Sequence, residues 1–483
     1  MIPHHVYYQL AILGLLWLCV MLHYVWPGQS VVSPQPSVQP APPQGKRKRS
    51  NEPRPFAGLT QRPHCALCEH GATHPEPQPP KRPAPMMSTN RRPCAIDTSM
   101  HFCPHEGCDY RGWLGLGNLR ANGHANGHPS GGPWRQLYCR SCDGYFLETH
   151  GTLFHGKRLS VELIVRVLAC LAEGLGIRAT ARVFEVDPNT VLQWLVEAAE
   201  QLRAFTVYFL CDVHAHQLQL DELYAVIRAL KAGELSEEDA IERLEGARSW
   251  VWTAIDPVSK LVLAIEVGPR TVAMAQRVVH RVSQRLASGC MPAWFSDGFK
   301  GYLPAILGHF GWWVHPERRQ DKGPMPKPRW RPLPGLLYAQ VVKQYRRKRM
   351  VGVKHRVVFG TLEAVQHVLA ARGWKINTSF VERLNLDIRQ RVAAGGRRVN
   401  TLGQSEDSVQ QQLAVFHVYY NFVLPHTSLR QPLLALEATN RRGSARVWQP
   451  WTPAMAAGLT DHIWTLREVL LFRVPPWPQP QAL

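Results

Sequence analysis

The chain has 483 residues and a formal net charge of +20. That length exceeds what one core usually fills, so two to four domains are expected, and so large a cation excess repels itself unless nucleic acid or an anionic surface offsets it. The 11 cysteines are odd in number and grouped in close pairs, which argues against a disulfide framework and for metal-bound thiolates in a reducing compartment.

Residues 6–26, VYYQLAILGLLWLCVMLHYVW, contain no Asp, Glu, Lys or Arg and are long enough as a helix to span ~30 Å of hydrocarbon. Tyr7, Tyr8, Tyr24 and Trp26 sit at its ends like interfacial belts. No Lys or Arg precedes it and KRKR follows at 46–49, so an anchor over 1–27 would hold the rest of the chain in the cytoplasm, at the inner membrane. A buried core helix is the competing reading. Residues 28–95 read as a linker, since 15 of the 39 prolines fall between 28 and 93 and little apolar surface is available to bury. Within it, Cys65 and Cys68 offer half a metal site whose second half lacks regular spacing.

CPHEGC and CRSC follow, placing Cys103, Cys108, Cys139 and Cys142 as two tight pairs 30 residues apart. Four thiolates so spaced can close a tetrahedral Zn²⁺ site on two knuckle turns, a zinc ribbon over 96–150. Without metal the glycine-rich segment between the pairs has almost no core of its own. Residues 157–204 then show apolar spacing of three and four, Ser160 as a cap, Gly174 and Gly176 as breaks, and Asp187-Pro188 as a fresh helix start. This is a helix-turn-helix pattern, with Asn189, Thr190 and Gln193 near the start of the recognition helix, where side chains reach DNA.

From 214 to 430 the period changes. β-rich runs at 216–227, 249–259 and 260–270 read as a meander, followed by a helix at 271–288, a strand at 292–299 and a further helix. That is the chain order of a ribonuclease H-like core, with insertions at 228–248 and 318–376 and a C-terminal tail over 431–483. The fold class is thus multidomain α+β: a ribonuclease H-like mixed sheet with flanking helices, preceded by the ribbon and the helical unit. In such a sheet Asp221 on the first strand and Asp297 at the end of the fourth come together, and Glu382 falls on a later helix. Three carboxylates there hold two divalent ions about 4 Å apart for phosphodiester chemistry, and hard oxygen ligands suit Mg²⁺ or Mn²⁺. Asn385 and Arg389, on successive turns after Glu382, are placed to face DNA. Strand alternation puts Glu222 on the opposite face from Asp221, and Asp387 lies off the Glu382 face of its helix. Between Arg318 and Arg356 there are 13 Lys or Arg against one acid, Asp321. The cluster Lys343, Arg346, Arg347, Lys348 and Arg349 is expected to track DNA phosphates without reading bases.

The segments LQLDELY, TAIDPVSKLVLAIEVGPRT, WFSDGFKGY, NTSFVERLNLDIRQRV and HVYYNFVLPHTSLR resemble the transposases of bacterial insertion sequences of the DDE superfamily. The similarity is greatest to those carrying an N-terminal zinc ribbon and helix-turn-helix, and it covers about 103–430. It implies that Asp221, Asp297 and Glu382 are a metal-binding triad and that Arg389 is a basic residue used near DNA. It also implies double-stranded DNA as partner, at element ends and target, a homo-oligomer on that DNA, and cleavage followed by strand joining. Two other readings share parts of this pattern: a catalytically silent, membrane-tethered DNA-binding regulator, and a metal-dependent nuclease that never joins ends.

Overall fold

A computed structural model describes residues 97–124, 134–225, 249–317, 325–347, 349–395, 405–437 and 446–476. All of these lie in the compact unit Phe56–Leu483. The apolar run 6–26, the proline-rich linker, Cys65, Cys68 and the insertion 228–248 fall outside the described residues. Among the described residues no helix is long and apolar enough to cross a membrane.

The cysteine-bearing segment forms a three-stranded antiparallel sheet of β1 (Leu119–His124), β2 (Arg135–Cys139) and β3 (Tyr145–Leu147), in that order. Its core is small: Leu119, Leu137 and Phe146 pack with the sulfurs of Cys103, Cys108 and Cys139. Three helices follow, α1 (Val161–Ala172), α2 (Ile177–Phe184) and α3 (Pro188–Phe209). Ser160 caps α1 by accepting the Leu163 N–H at 3.3 Å, and Asp187 caps α3 by accepting that of Asn189 at 2.8 Å. Gly174 turns the chain between α1 and α2 with φ +93°, and a Cβ there would lie 2.4 Å from the Gln390 carbonyl oxygen. Only glycine fits that conformation and that approach.

The central sheet contains β4 (Gln217–Tyr224), β5 (Ser249–Ile255) and β6 (Val262–Pro269) as an antiparallel meander. After α4 (Val272–Ser283) the chain returns as β7 (Ala293–Asp297), which pairs parallel with β4. Helix α5 (Tyr302–His309) leads to a two-stranded ribbon, β8 (Gly311–Val314) and β9 (Arg329–Pro332). Strand β10 (Tyr338–Arg346) then pairs parallel with β7, and β11 (Arg349–Phe359) pairs antiparallel with β10. The spatial order is β11-β10-β7-β4-β5-β6. Leaving β11 aside, counting the remaining strands in chain order gives 3-2-1-4-5 from the β6 edge, an arrangement compatible with a ribonuclease H-like fold. The expected 318–376 insertion therefore contains β10, the fifth strand of that sheet.

Helices cover both faces. On one, Phe205 and Phe209 of α3 and Val278 of α4 bury Leu218, Leu220, Trp252 and Trp294. On the other, α6 (Leu362–Ala370) packs on Phe295 and Val341. Beside it, α7 (Ser379–Arg391) and α8 (Glu406–Val418) pack on Val251, Val262 and Ile265. Helix α8 runs on into a π-helical turn, Tyr419–Val423, which brings Asn421 against β6. There it accepts the Val262 N–H at 3.0 Å and donates to the Val262 carbonyl at 2.9 Å.

The residues expected as a tail carry β12 (Gln431–Glu437), β13 (Arg446–Gln449), α9 (Pro453–Ala456) and α10 (Leu466–Leu471). This segment adds Trp464, Leu466, Val469 and Leu470 to the main core. Arg473 donates to the Phe102 carbonyl at 3.1 Å, so the C-terminal segment packs against the start of the cysteine-bearing unit.

Candidate functional site

Asp221 sits on β4 level with the end of β7. Leu220 pairs with Ser296, so the next residue, Asp297, is the last of its strand and β4 continues past it without that neighbour. This explains a departure from the expectation for Glu222. Alternation does send Gln219 and Asp221 toward α7 and Glu222 toward α5, but where β7 stops, side chains of both faces reach round its end. Carboxylate oxygens of Asp221, Glu222 and Asp297 consequently lie within 4.8 Å of one another. Glu222 is part of the acidic cluster.

Burial and the neighbouring Asp297 charge push the Asp221 carboxyl up to about 6 and that of Glu222 up to about 7. Arg270 is the cation beside Glu222 and Asp297: its guanidinium donates to Glu222 Oε2 at 2.9 and 3.0 Å and reaches Asp297 Oδ2 at 3.4 Å. Glu222 is buried, and the Tyr302 hydroxyl of α5 is beside its carboxylate. A crowded, all-oxygen donor set of three carboxylates fits a hard divalent cation such as Mg²⁺ or Mn²⁺.

Glu382 lies in the first turn of α7, where the helix dipole favours an acid. The position of α7 is set by β4: Gln219 Oε1 accepts the N–H groups of Phe380 and Val381, both at 3.1 Å. These are donors that a helix start leaves without intrahelical partners. Gln219 Nε2 also donates to the Asn377 carbonyl at 3.0 Å. One turn further along, Asn385 donates to Asp221 Oδ2 at 2.8 Å. Glu382 thus lines one cavity of about 300 Å³ together with Asp221, Glu222, Leu223, Asn385, Leu386 and Arg389. Its carboxylate is outside the three-residue oxygen set; Lys343 Nζ donates to Glu382 Oε1 at 2.5 Å and Thr378 Oγ1 donates to it at 3.2 Å.

The expected DNA-facing residues divide. Asn385 is buried and bonded to Asp221 rather than facing outward, and Lys343 is paired with Glu382. Arg389 lines the cavity. Arg346 and Arg349 are exposed partners closing the tip of the β10–β11 hairpin, and Arg347 is exposed in its turn; Lys348 lies outside the described residues. Asn189 and Gln193 are exposed on the first turns of α3 and Thr190 is half-buried. Gln193 donates to Glu197 at 2.8 Å.

The four cysteines converge. Cys103 Sγ is 3.6 Å from Cys142 Sγ, and Cys108 Sγ is 3.7 Å from Cys139 Sγ. All four sulfurs lie within 4.8 Å of one another. Tetrahedral zinc with Zn–S bonds of ~2.3 Å requires sulfurs roughly 3.8 Å apart, so this set fits that metal. Burial raises the Cys108 thiol to about 11 and Cys103 further still; bound zinc would oppose that by stabilising the thiolates.

No family model and no curated protein matches the chain. Among solved structures, the crystal structure of the Mos1 strand transfer complex aligns over 51% of this chain and 82% of its own at 13% identity, with a TM-score of 0.15. A superposition that loose carries no argument; the fold is defined by its strand order and the site by its own geometry.

Proposed function

We propose that the chain is a DNA transposase that binds element ends and target DNA and performs two-metal phosphodiester cleavage and strand transfer. The observation that carries this reading is the meeting of Asp221 and Asp297 at adjacent parallel strands of a sheet ordered 3-2-1-4-5, with Glu382 lining the same cavity. Asp221 and Asp297 would hold Mg²⁺ or Mn²⁺, joined by Glu382 and by Glu222. Such ions, when bound, activate the attacking oxygen and relieve charge on the leaving one.

The protein's own groups do the rest. Asn385 orients Asp221, Arg270 braces Asp297 against Glu222, and Lys343 holds Glu382 until an incoming cation or phosphate takes either partner. Arg389 lines the same cavity and would meet the scissile phosphate there. The Cys103–Cys142 unit with Zn²⁺ and helices α1 to α3, presenting Asn189 and Gln193, serve as the DNA-holding part. The tip of the β10–β11 hairpin adds phosphate contacts, and the working form is a homo-oligomer on DNA.

The test uses purified full-length chain with DNA taken from either side of its own coding sequence, joined to a supercoiled plasmid. Mg²⁺-dependent nicking followed by joining is expected. Glu382→Gln and Asp297→Asn should each lower both by orders of magnitude while DNA binding stays near wild type. Cleavage without any joining would replace this reading by the nuclease, and binding without cleavage by the silent regulator.

A further inference from the structure

This fold buries its large indoles: Trp252 and Trp294 are fully inaccessible. The short ribbon β8–β9 does the reverse. Trp312, Trp313 and Trp330 are 53%, 51% and 44% exposed, three of the four exposed tryptophans among the described residues. Register puts Trp312 opposite Arg331 and Val314 opposite Arg329, so one face presents an indole flanked by two guanidinium groups. Both arginines are exposed. On the other face Trp313 and Trp330 pack edge to face, 5.5 Å apart at 66°, which stiffens the ribbon.

The base of the ribbon is fixed. A Cβ at Gly311 would meet the carbonyl oxygens of Leu307 and Arg331 at 2.4 and 2.7 Å. The Leu333 N–H donates to the Phe310 carbonyl at 2.9 Å, and Phe310 packs on Trp294 at 5.4 Å. Trp294 belongs to β7, the strand that ends in Asp297. The ribbon is therefore rooted on the same strand as a candidate catalytic acid.

An exposed indole beside two cations matches a nucleobase attached to a phosphate backbone. Bases inside a duplex are stacked on one another and offer no free face; an unpaired base does. We propose that the β8–β9 ribbon is a binding site for unpaired DNA bases, with Trp312 as the stacking face and Arg329 and Arg331 as contacts to the adjoining phosphates. The proposal deepens the DNA-acting reading above and rests on it for the identity of the polyanion.

The experiment measures fluorescence anisotropy of full-length chain over a series of salt concentrations with two labelled probes, a fully paired duplex and the same duplex carrying a single-stranded adenine flap. Wild type is expected to prefer the flap, and Trp312→Ala to lose about tenfold of flap affinity with duplex affinity unchanged. Trp312→Phe should keep most of the preference, because it retains an aromatic face at an exposed position. Arg331→Gln should weaken both probes and flatten their salt dependence. The proposal is overturned if wild type does not prefer the flap or if Trp312→Ala keeps the preference. It is equally overturned if Trp312→Ala dissociates a DNA-free oligomer in sedimentation, since the ribbon would then be a contact between copies. Failure of the catalytic reading is separable: a chain that prefers the flap but never cleaves refutes catalysis alone, and one that cleaves without preference refutes this site alone.

Discussion

Replacing Asp221 by Asn should make the metal-free protein more stable while weakening its response to Mg²⁺. The folded protein holds the Asp221 carboxyl at about 6 against an ordinary 3.8, chiefly through burial and then the Asp297 charge. A carboxylate raised in this way gives stability that is fully present below pH 3.8 and is lost as pH rises through about 6. At ~1.36 kcal/mol for each pH unit separating those two values, the cost at pH 7.5 is about 3 kcal/mol, or about 4 °C in melting temperature for a unit this large. The substituted side chain fits. Its Oδ1 can still accept the Glu222 N–H, and the bond that Asn385 Nδ2 donates to Asp221 Oδ2 is replaced, once the Asn385 amide turns over, by one from the new amide to Asn385 Oδ1. Thermal melts at pH 7.5 without divalent metal should place Asp221→Asn above wild type. Adding Mg²⁺ should raise wild type more than the variant, and lowering the pH toward 4 should erase the gap between them. A variant that melts at or below wild type without metal, or that gains as much from Mg²⁺, refutes the claim that the cluster is held against its own repulsion to receive a cation.

Two further outcomes follow from other parts of the molecule. Wild type should carry about one tightly bound zinc per chain, and Cys139→Ser with Cys142→Ser should abolish it in metal analysis of purified protein. The same double variant should expose the cysteine-bearing segment to protease, since the sulfurs sit among Leu119, Leu137 and Phe146 at the centre of its small core. Neutralising Arg346, Arg347 and Arg349 at the hairpin tip should weaken binding to any DNA sequence about equally and lower the slope of affinity against salt. Loss of sequence preference at an unchanged salt slope would show base reading instead.

The chain order of the first four strands was legible because its signals are local: a change from helical to alternating spacing near 216, the Asp256-Pro257 turn, and a helix before 292. The four cysteines were legible because thiolate spacing is a chain-local property of knuckle turns. What stayed hidden depends on where one element stops relative to another. Glu222 reads as an outward partner of Asp221 unless it is known that β7 ends at Asp297 beside it. Lys343 reads as one more cation of a basic stretch unless β10 is placed next to β7, within reach of Glu382. Asn385 shows the same limit: helical spacing puts it on the Glu382 face but does not tell whether that face meets solvent or Asp221. Strand β10 itself was concealed by the arginines around it, and the residues after 431 by their prolines, although the spacing of Leu466, Val469 and Leu470 is that of a buried helix face.

The helix Ser379–Arg391 explains how these parts are joined. Its first N–H groups are held by Gln219 from β4, two residues before Asp221, so the strand that carries one acid also sets the start of the helix that carries another. Asn385 makes a second tie to the same strand. At the far end Arg391 pairs with Glu173, which also accepts the Tyr419 hydroxyl at 2.7 Å, and the Gln390 carbonyl packs against Gly174. Helix α7 therefore bridges the carboxylate site and the end of α1, with no loop between them to absorb movement. The helical unit that is proposed to hold DNA thus meets the cavity through one rigid element. The Glu382–Lys343 pair stands in the first turn of that helix, at the end opposite the Arg391–Glu173 pair.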